Sequence, residues 1–330
     1  MGDVIAGGLL LGVLAYSVFG GADFGAGFWD LTAGGAVRGR AARALIDRSL
    51  GPVWEANHTW LVYCLVVFWT GFPAAFAAVM TTLYLPLGLA VLGIVLRGSG
   101  FAFRKALVRT DQQRVAGAAF AASSVLTPFF LGTVAGGIAS GRVPAEGYGD
   151  PMRSWTNPTS LLTGALAVAV CAYLAAVFLT SDARTADDPE LRTWFRRRAW
   201  AAALVAGAVS VAGLAVVYAD AHPLFNRLLG PALPAVIVAV CAGAAALGLI
   251  RRAGPHLVRV FAAVAVAATV VGWGIAQYPY LLGTRAPIDA VAAPHASLVA
   301  LAAIVVLAIL LVAPSFVLLY RLQQRARLEH

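Results

Sequence analysis

Two carboxylates lie inside long apolar runs of the sequence, Asp23 and Glu55. A charged side chain at the centre of a membrane helix costs about 2.5–3.5 kcal/mol on insertion scales, so an acid at depth has a reason to be there. Most of the fifteen acids avoid that cost by falling in connecting segments. Glu55 belongs to the densest polar cluster of any apolar run, Trp54-Glu55-Ala56-Asn57-His58-Thr59-Trp60. On a helix, spacings of three and four put His58 and Thr59 on the face of Glu55. A carboxylate, an imidazole and a hydroxyl in one row are suited to passing protons through a helix bundle. The same residues equally suit a hydrogen-bonded knot that locks two helices, with His58 only orienting Glu55. Trp54, Trp60 and Trp69 read as packing residues or interfacial anchors. Asp23 lies roughly 12 Å before the end of its run at about 1.5 Å per helical residue. Glu55 lies in the first turns of the next run, starting from the same side, so the two acids are expected at similar depth.

The elements that position these residues follow from composition. The chain has 330 residues, 61% hydrophobic and 12% charged. Soluble domains carry about 25% charged residues, so the composition excludes one. Nine apolar stretches are predicted to span a membrane, at about 4–31, 53–72, 76–96, 115–138, 159–180, 200–219, 232–250, 260–278 and 297–320. Each approximates the ~20 residues needed to cross a bilayer, and backbone satisfaction in lipid makes them helices. The fold class is therefore an all-α integral membrane protein, and the whole of 1–330 reads as a single polytopic domain. With the N-terminus outside, 20 of the 24 Lys and Arg fall in the segments after spans one, three, five, seven and nine. That asymmetry predicts an N-out, C-in chain. It also argues against nucleic acid as the partner behind the net charge of +9, because the basic residues are spread over five segments.

Asp188-Pro189-Glu190 reads as an N-cap followed by Pro at the first helical position. The run after it is either a short interfacial helix or a lead-in to span six. The pairs Gly21/Gly25 and Gly132/Gly136 have the spacing that lets helices approach closely. Pro73, Pro86, Pro128 and Pro314 mark span ends or kinks. The first span lacks the basic n-region of a cleaved signal peptide. Metal and heme chemistry find little support. Only His58 lies clearly within a span, so two axial histidines at matched depth are not expected in this chain. Cys64, Cys171 and Cys241 fall on three different spans and read as small buried apolar residues.

The run Gly51-Pro52-Val53-Trp54-Glu55-Ala56-Asn57-His58-Thr59-Trp60-Leu61 resembles the span-two signature, Trp-(Asp/Glu)-x-Asn-x-x-Trp, of subunit II of the prokaryotic cytochrome bd-type quinol oxidases. Gly21-Ala22-Asp23-Phe24-Gly25-Ala26-Gly27 is similar to the family's span-one motif. Further similarities follow in family order: Arg97-Gly98 with Phe101-Ala102-Phe103-Arg104, Asn157-Pro158, and Ala276-Gln277-Tyr278-Pro279-Tyr280. Ala22 stands where Phe is usual, and Ala102 where an acid is common, which removes a carboxylate partner for Arg104. The Trp-Glu-Ala-Asn-His run is shared with the cyanide-insensitive branch of the family.

The resemblance implies two four-helix bundles plus one peripheral helix, in a prokaryotic cytoplasmic membrane. It implies that hemes b and d and the quinol site belong to a partner, subunit I, while this chain binds no obligatory heme. A structural quinone or lipid, and a small accessory subunit, are compatible with it. The implied reaction is oxidation of quinol and reduction of oxygen to water. Asp23 and Glu55, with His58 and Thr59, would then belong to a proton pathway from the inner side, and Trp54, Asn57, Trp60, Gly21, Gly25, Arg97 and Arg104 to the packing of the motifs. The competing reading is a proton-coupled secondary transporter, which would show broken helices near the midplane in both halves.

Overall fold

A computed structural model describes residues 1–35, 37–50, 54–106, 110–145, 148–252, 254–283 and 286–326. Gly51, Pro52 and Val53 lie outside the described residues, as do the side chains of Trp54 and Arg104. Span one is α1 (Gly2–Ala15) and α2 (Gly21–Leu31), joined without a break through one π-helical turn, Tyr16–Gly20. A short amphipathic helix, α3 (Arg40–Leu50), follows. Then come α4 (Trp54–Gly71), α5 (Pro73–Thr82), α6 (Tyr84–Ala106), α7 (Thr110–Ala139), α8 (Pro158–Thr185) and α9 (Pro189–Asp220). The chain continues through α10 (His222–Leu229), α11 (Leu233–Leu249) and α12 (Pro255–Gln277). It closes with β1 (Tyr280–Leu282), β2 (Ala286–Pro287), α13 (Ile288–Val291) and α14 (His295–Ala326).

Among the described residues seven helical segments are long and apolar enough to cross a membrane, and two bent pairs raise the number to as many as nine. The helices follow the order of the predicted apolar stretches, with three corrections. The predicted span 76–96 straddles two elements. Pro73, at the start of α5, interrupts the helix, and α5 turns 118° away from α4. The chain re-enters a long helix only after Leu83, whose backbone (φ −108°, ψ 24°) ends α5. The crossing helix is thus α6, shifted toward the C-terminus. Second, the stretch after Asp188 is no separate interfacial helix. The Asp188 carboxylate accepts from the Leu191 backbone N–H at 2.9 Å, and α9 runs unbroken for 32 residues from that cap. Third, the all-α expectation omits a two-stranded antiparallel hairpin, β1–β2, before α13.

The core is organised around α8, on which every residue from Cys171 to Val177 is buried. That helix packs against α2, α7, α9 and α12. Small residues allow the approach. A Cβ on Gly25 would sit 1.8 Å from the Cys171 carbonyl oxygen, and one on Gly136 would sit 2.5 Å from the Ser160 Cα. Gly25, Gly132 and Gly136 therefore mark close backbone contacts with α8, while Gly21 meets only α8 side chains, at 3.4 and 3.6 Å.

Candidate functional site

Asp23 sits eight residues before the end of α2, and Arg97 nine residues before the end of α6. At 1.5 Å per residue both lie roughly 12–14 Å from the ends of their helices. The two side chains meet inside the bundle, each 1% exposed. Arg97 Nη2 donates to Asp23 Oδ1 at 2.6 Å and to the Asp23 backbone carbonyl at 3.0 Å. Arg97 Nη1 donates to Ser124 Oγ on α7, and Ser124 Oγ donates in turn to the Phe120 carbonyl at 2.6 Å. The guanidinium carbon lies 4.8 Å from the centre of the Phe24 ring and 4.7 Å from that of Phe120. Charge pairing, hydrogen bonds and two aromatic faces together compensate for burying the ions. Gly27 makes room for this arrangement, because a Cβ there would meet Ser124 Oγ at 2.1 Å and Arg97 Nη1 at 3.2 Å.

Arg97 corrects the sequence reading, which counted it among the basic residues of a connecting segment. An arginine near the end of an apolar run can reach outward to water or inward to an acid, and run length does not distinguish the two. Here a buried carboxylate lies within reach, and the arginine turns inward.

Beside the pair, Tyr16 of the π turn, Phe24 and His58 meet edge to face, with ring centroids 6.2–6.4 Å apart. Asn57 Nδ2 donates to the Phe19 carbonyl within the π turn at 3.4 Å. A π turn displaces backbone carbonyls from the α-helical register, and the motif asparagine reaches one of them. Asp23 Oδ2, Arg97 Nε, Tyr16 Oη, Asn57 Oδ1 and Thr127 Oγ1 are buried polar atoms with hydrogen-bonding capacity left over among the described residues. They form a polar seam in an otherwise apolar interior, the kind of surface that ordinarily holds buried water.

Glu55, His58 and Thr59 do not enter the bundle together. Asn57 and Trp60 take the inward face of α4, at 1% and 8% exposure. Trp60 packs against Tyr63 and Phe316. Glu55 and Thr59 therefore face outward, while half-buried His58 packs on Tyr16 and on Phe24, the ring that faces Arg97. Toward the other end of α4 the outward face continues as Val62, Val66 and Trp69, all exposed. Trp69 stacks on Phe76, as expected of an anchor rather than a core residue.

Among the described residues three further ion pairs were not singled out from sequence, Asp30–Arg43, Asp220–Arg142 and Asp182–Arg259. Asp30 is buried and accepts from Arg43 Nε at 2.9 Å, while Arg43 also donates to the Gly34 and Gly35 carbonyls. Asp30 follows Asp23 by seven residues, and that spacing, which repeats a helix face, was the available signal. At the other end of the bundle Asp220 accepts from Arg142 Nη2 at 2.6 Å and Nη1 at 3.1 Å. It also accepts from the Thr159 N–H at 3.1 Å and its hydroxyl at 2.5 Å. Nothing local in the sequence joins those three residues.

The described histidines lie on four different helices. His58 is held among rings, and His222, His256 and His295 are exposed in the first turns of α10, α12 and α14. No group of three His, Cys, Asp or Glu side chains converges among the described residues.

Comparison with known proteins agrees with this architecture. Residues 1–323 match the family model for cytochrome bd terminal oxidase subunit II. The cytochrome bd-I ubiquinol oxidase subunit 2 of Escherichia coli K12 is 27% identical over 220 residues, covering 64% of this chain and 56% of that protein. The cytochrome bd ubiquinol oxidase subunit 2 of Bacillus subtilis 168 is 26% identical over 227 residues, covering 67% and 64%. The aligned region thus spans just over half of the E. coli relative. A chain of the bd oxidase structure from Geobacillus thermodenitrificans superposes with a TM-score of 0.83 at 24% identity, over 97% of this chain and 98% of that one. With a match running through 323 of 330 residues, the chain belongs to the cytochrome bd terminal oxidase subunit II family.

Proposed function

We propose that this chain is the non-heme subunit of a quinol-oxidising, oxygen-reducing complex of a prokaryotic cytoplasmic membrane, and that it helps deliver protons from the cytoplasm. The family match along residues 1–323 carries the oxidase reading. The proton role rests on the buried Asp23–Arg97 pair, with His58 packed on Phe24 beside it and the outward-facing Glu55 one turn away from His58 on α4. Hemes b and d in a partner subunit would supply the oxygen chemistry.

The partner docks on the outward stripe of α4, where it would cover Glu55 and Thr59 and the apolar residues beyond them. Glu55 takes up a proton near the basic end of the bundle. His58 passes it toward the polar seam, where Asp23 Oδ2 can accept it while Arg97 holds the other oxygen. The chain forms a single membrane domain of two four-helix bundles plus a peripheral helix, with the N-terminus outside and the basic end in the cytoplasm. Removing buried Arg97 from the tally still leaves 19 basic residues on that side against four.

A transporter reading gains nothing from the two bent helix pairs. The break at Phe72 and the turn at Gly230 lie at the end opposite the basic one, not at the midplane. The proton role is tested with Glu55→Gln and Asp23→Asn in the purified complex. Both variants are expected to consume oxygen more slowly with hemes fully assembled, and wild-type turnover in both would refute the role.

A further inference from the structure

We propose that the basic ends of α8, α9, α11 and α12 form a binding pocket for the phosphate of an anionic phospholipid headgroup. Where these helices converge there is a cavity of about 80 Å³, the scale of one small polyatomic anion. Four guanidinium side chains line it: Arg192 and Arg196 from α9, and Arg251 and Arg252 from the turn between α11 and α12. Arg192 and Arg196 are one helical turn apart and face the same way. Arg251 stacks over the Trp200 ring at 4.3 Å, which fixes its approach.

No carboxylate offsets this charge. Among the described residues none of the four arginines is paired with an acid. Of the acids nearby, Asp182 bonds Arg259 at 3.2 Å and Asp188 caps α9 at 2.9 Å, while Asp187 and Glu190 make no ion pair with these arginines among the described residues. Arg192 Nε is buried without a hydrogen-bond partner. Four like charges around one cavity repel each other unless an anion neutralises them, and a guanidinium fork matches phosphate oxygens. Apart from Thr180, whose hydroxyl donates to the Ala176 carbonyl, the rest of the lining is apolar, including Val177, Ala199 and Val258. Beside it Leu257, Val260 and Val264 form an exposed apolar row along α12, which is a path for an acyl chain rather than for a free ion. Basic pockets between helix ends at the membrane surface bind lipid headgroups in this way.

The test uses the protein purified from membranes with its native partner, followed by native mass spectrometry during titration with phosphatidylglycerol. Wild type is expected to retain a lipid adduct that Arg251→Gln/Arg252→Gln binds roughly 30-fold more weakly, at about fivefold per basic residue. Arg251→Lys/Arg252→Lys keeps the charge and should recover most of the affinity. Phosphatidylcholine, with a phosphate but no net charge, should compete poorly, and excess inorganic phosphate should leave the adduct in place. Equal phosphatidylglycerol affinity in wild type and the glutamine variant would overturn the proposal. So would displacement of the lipid by inorganic phosphate, which would assign the pocket to a free anion. Far-ultraviolet circular dichroism checks folding independently of any heme or activity. If Arg251→Gln/Arg252→Gln misfolds, Arg192→Gln/Arg196→Gln takes its place with the same expected loss.

Discussion

Removing one member of the Asp23–Arg97 pair is a different perturbation from removing both. Arg97→Gln leaves a carboxylate in the bundle without its counter-ion, a loss typically worth 3–5 kcal/mol for a buried pair. Asp23→Asn/Arg97→Gln leaves two neutral amides that can still hydrogen-bond, so it should be the more stable variant of the two. Thermal unfolding of the purified protein reads this directly, and equal midpoints for the single and double variants would mean that the pair does not act as a unit. Residue-level legibility was uneven for a physical reason. Asp23 and Glu55 stand out in sequence because acids are expensive in lipid. Composition carries no information about which way a side chain turns on its helix, so Glu55 facing outward and Arg97 facing inward emerge only with packing. Asn57 was legible as part of a motif, but not as the group that meets the Phe19 carbonyl of the π turn.

At the scale of elements, glycines separate packing from mere flexibility. Gly25→Ala and Gly27→Ala would drive a methyl into the Cys171 carbonyl and into Ser124 respectively, so both should sharply reduce the yield of assembled complex. Gly88→Ala and Gly117→Ala meet nothing within 4 Å. They should leave yield unchanged or raise stability by up to about 1 kcal/mol, because alanine favours the helix interior. Yield measured by size-exclusion chromatography distinguishes the two classes. The spans themselves were largely readable, since apolar length and the bilayer set the same scale. The exception was the α5–α6 region, where Pro73 and Leu83 divide one apolar stretch between a short bent helix and a crossing helix. Hydropathy does not mark that division, because both pieces are apolar.

For the whole molecule, orientation is the most accessible prediction. A green fluorescent protein fused after α14 should fluoresce, and alkaline phosphatase fused near residue 150 should be active. The opposite pattern would invert the proposed direction of proton entry. At the end opposite the basic one, Asp220 joins the α7–α8 connection, the start of α8 and the end of α9 through its contacts with Arg142 and Thr159. Asp220→Ala leaves Arg142 and the Thr159 N–H without their acceptor. It should lower the unfolding midpoint by an amount equivalent to about 1–3 kcal/mol.

The outward stripe of α4 bears on the life of the chain before assembly. Glu55 and Thr59 share it with Val62, Val66 and Trp69. Until the proposed partner covers that face, a newly made copy presents an acid at the head of an exposed apolar row. Such a copy is a poor solute for the bilayer and a recognisable substrate for membrane proteases. Glu55 would then act as a tag of incompleteness, keeping the abundance of this subunit matched to that of its partner, and Glu55→Leu should lengthen the half-life of the chain expressed alone.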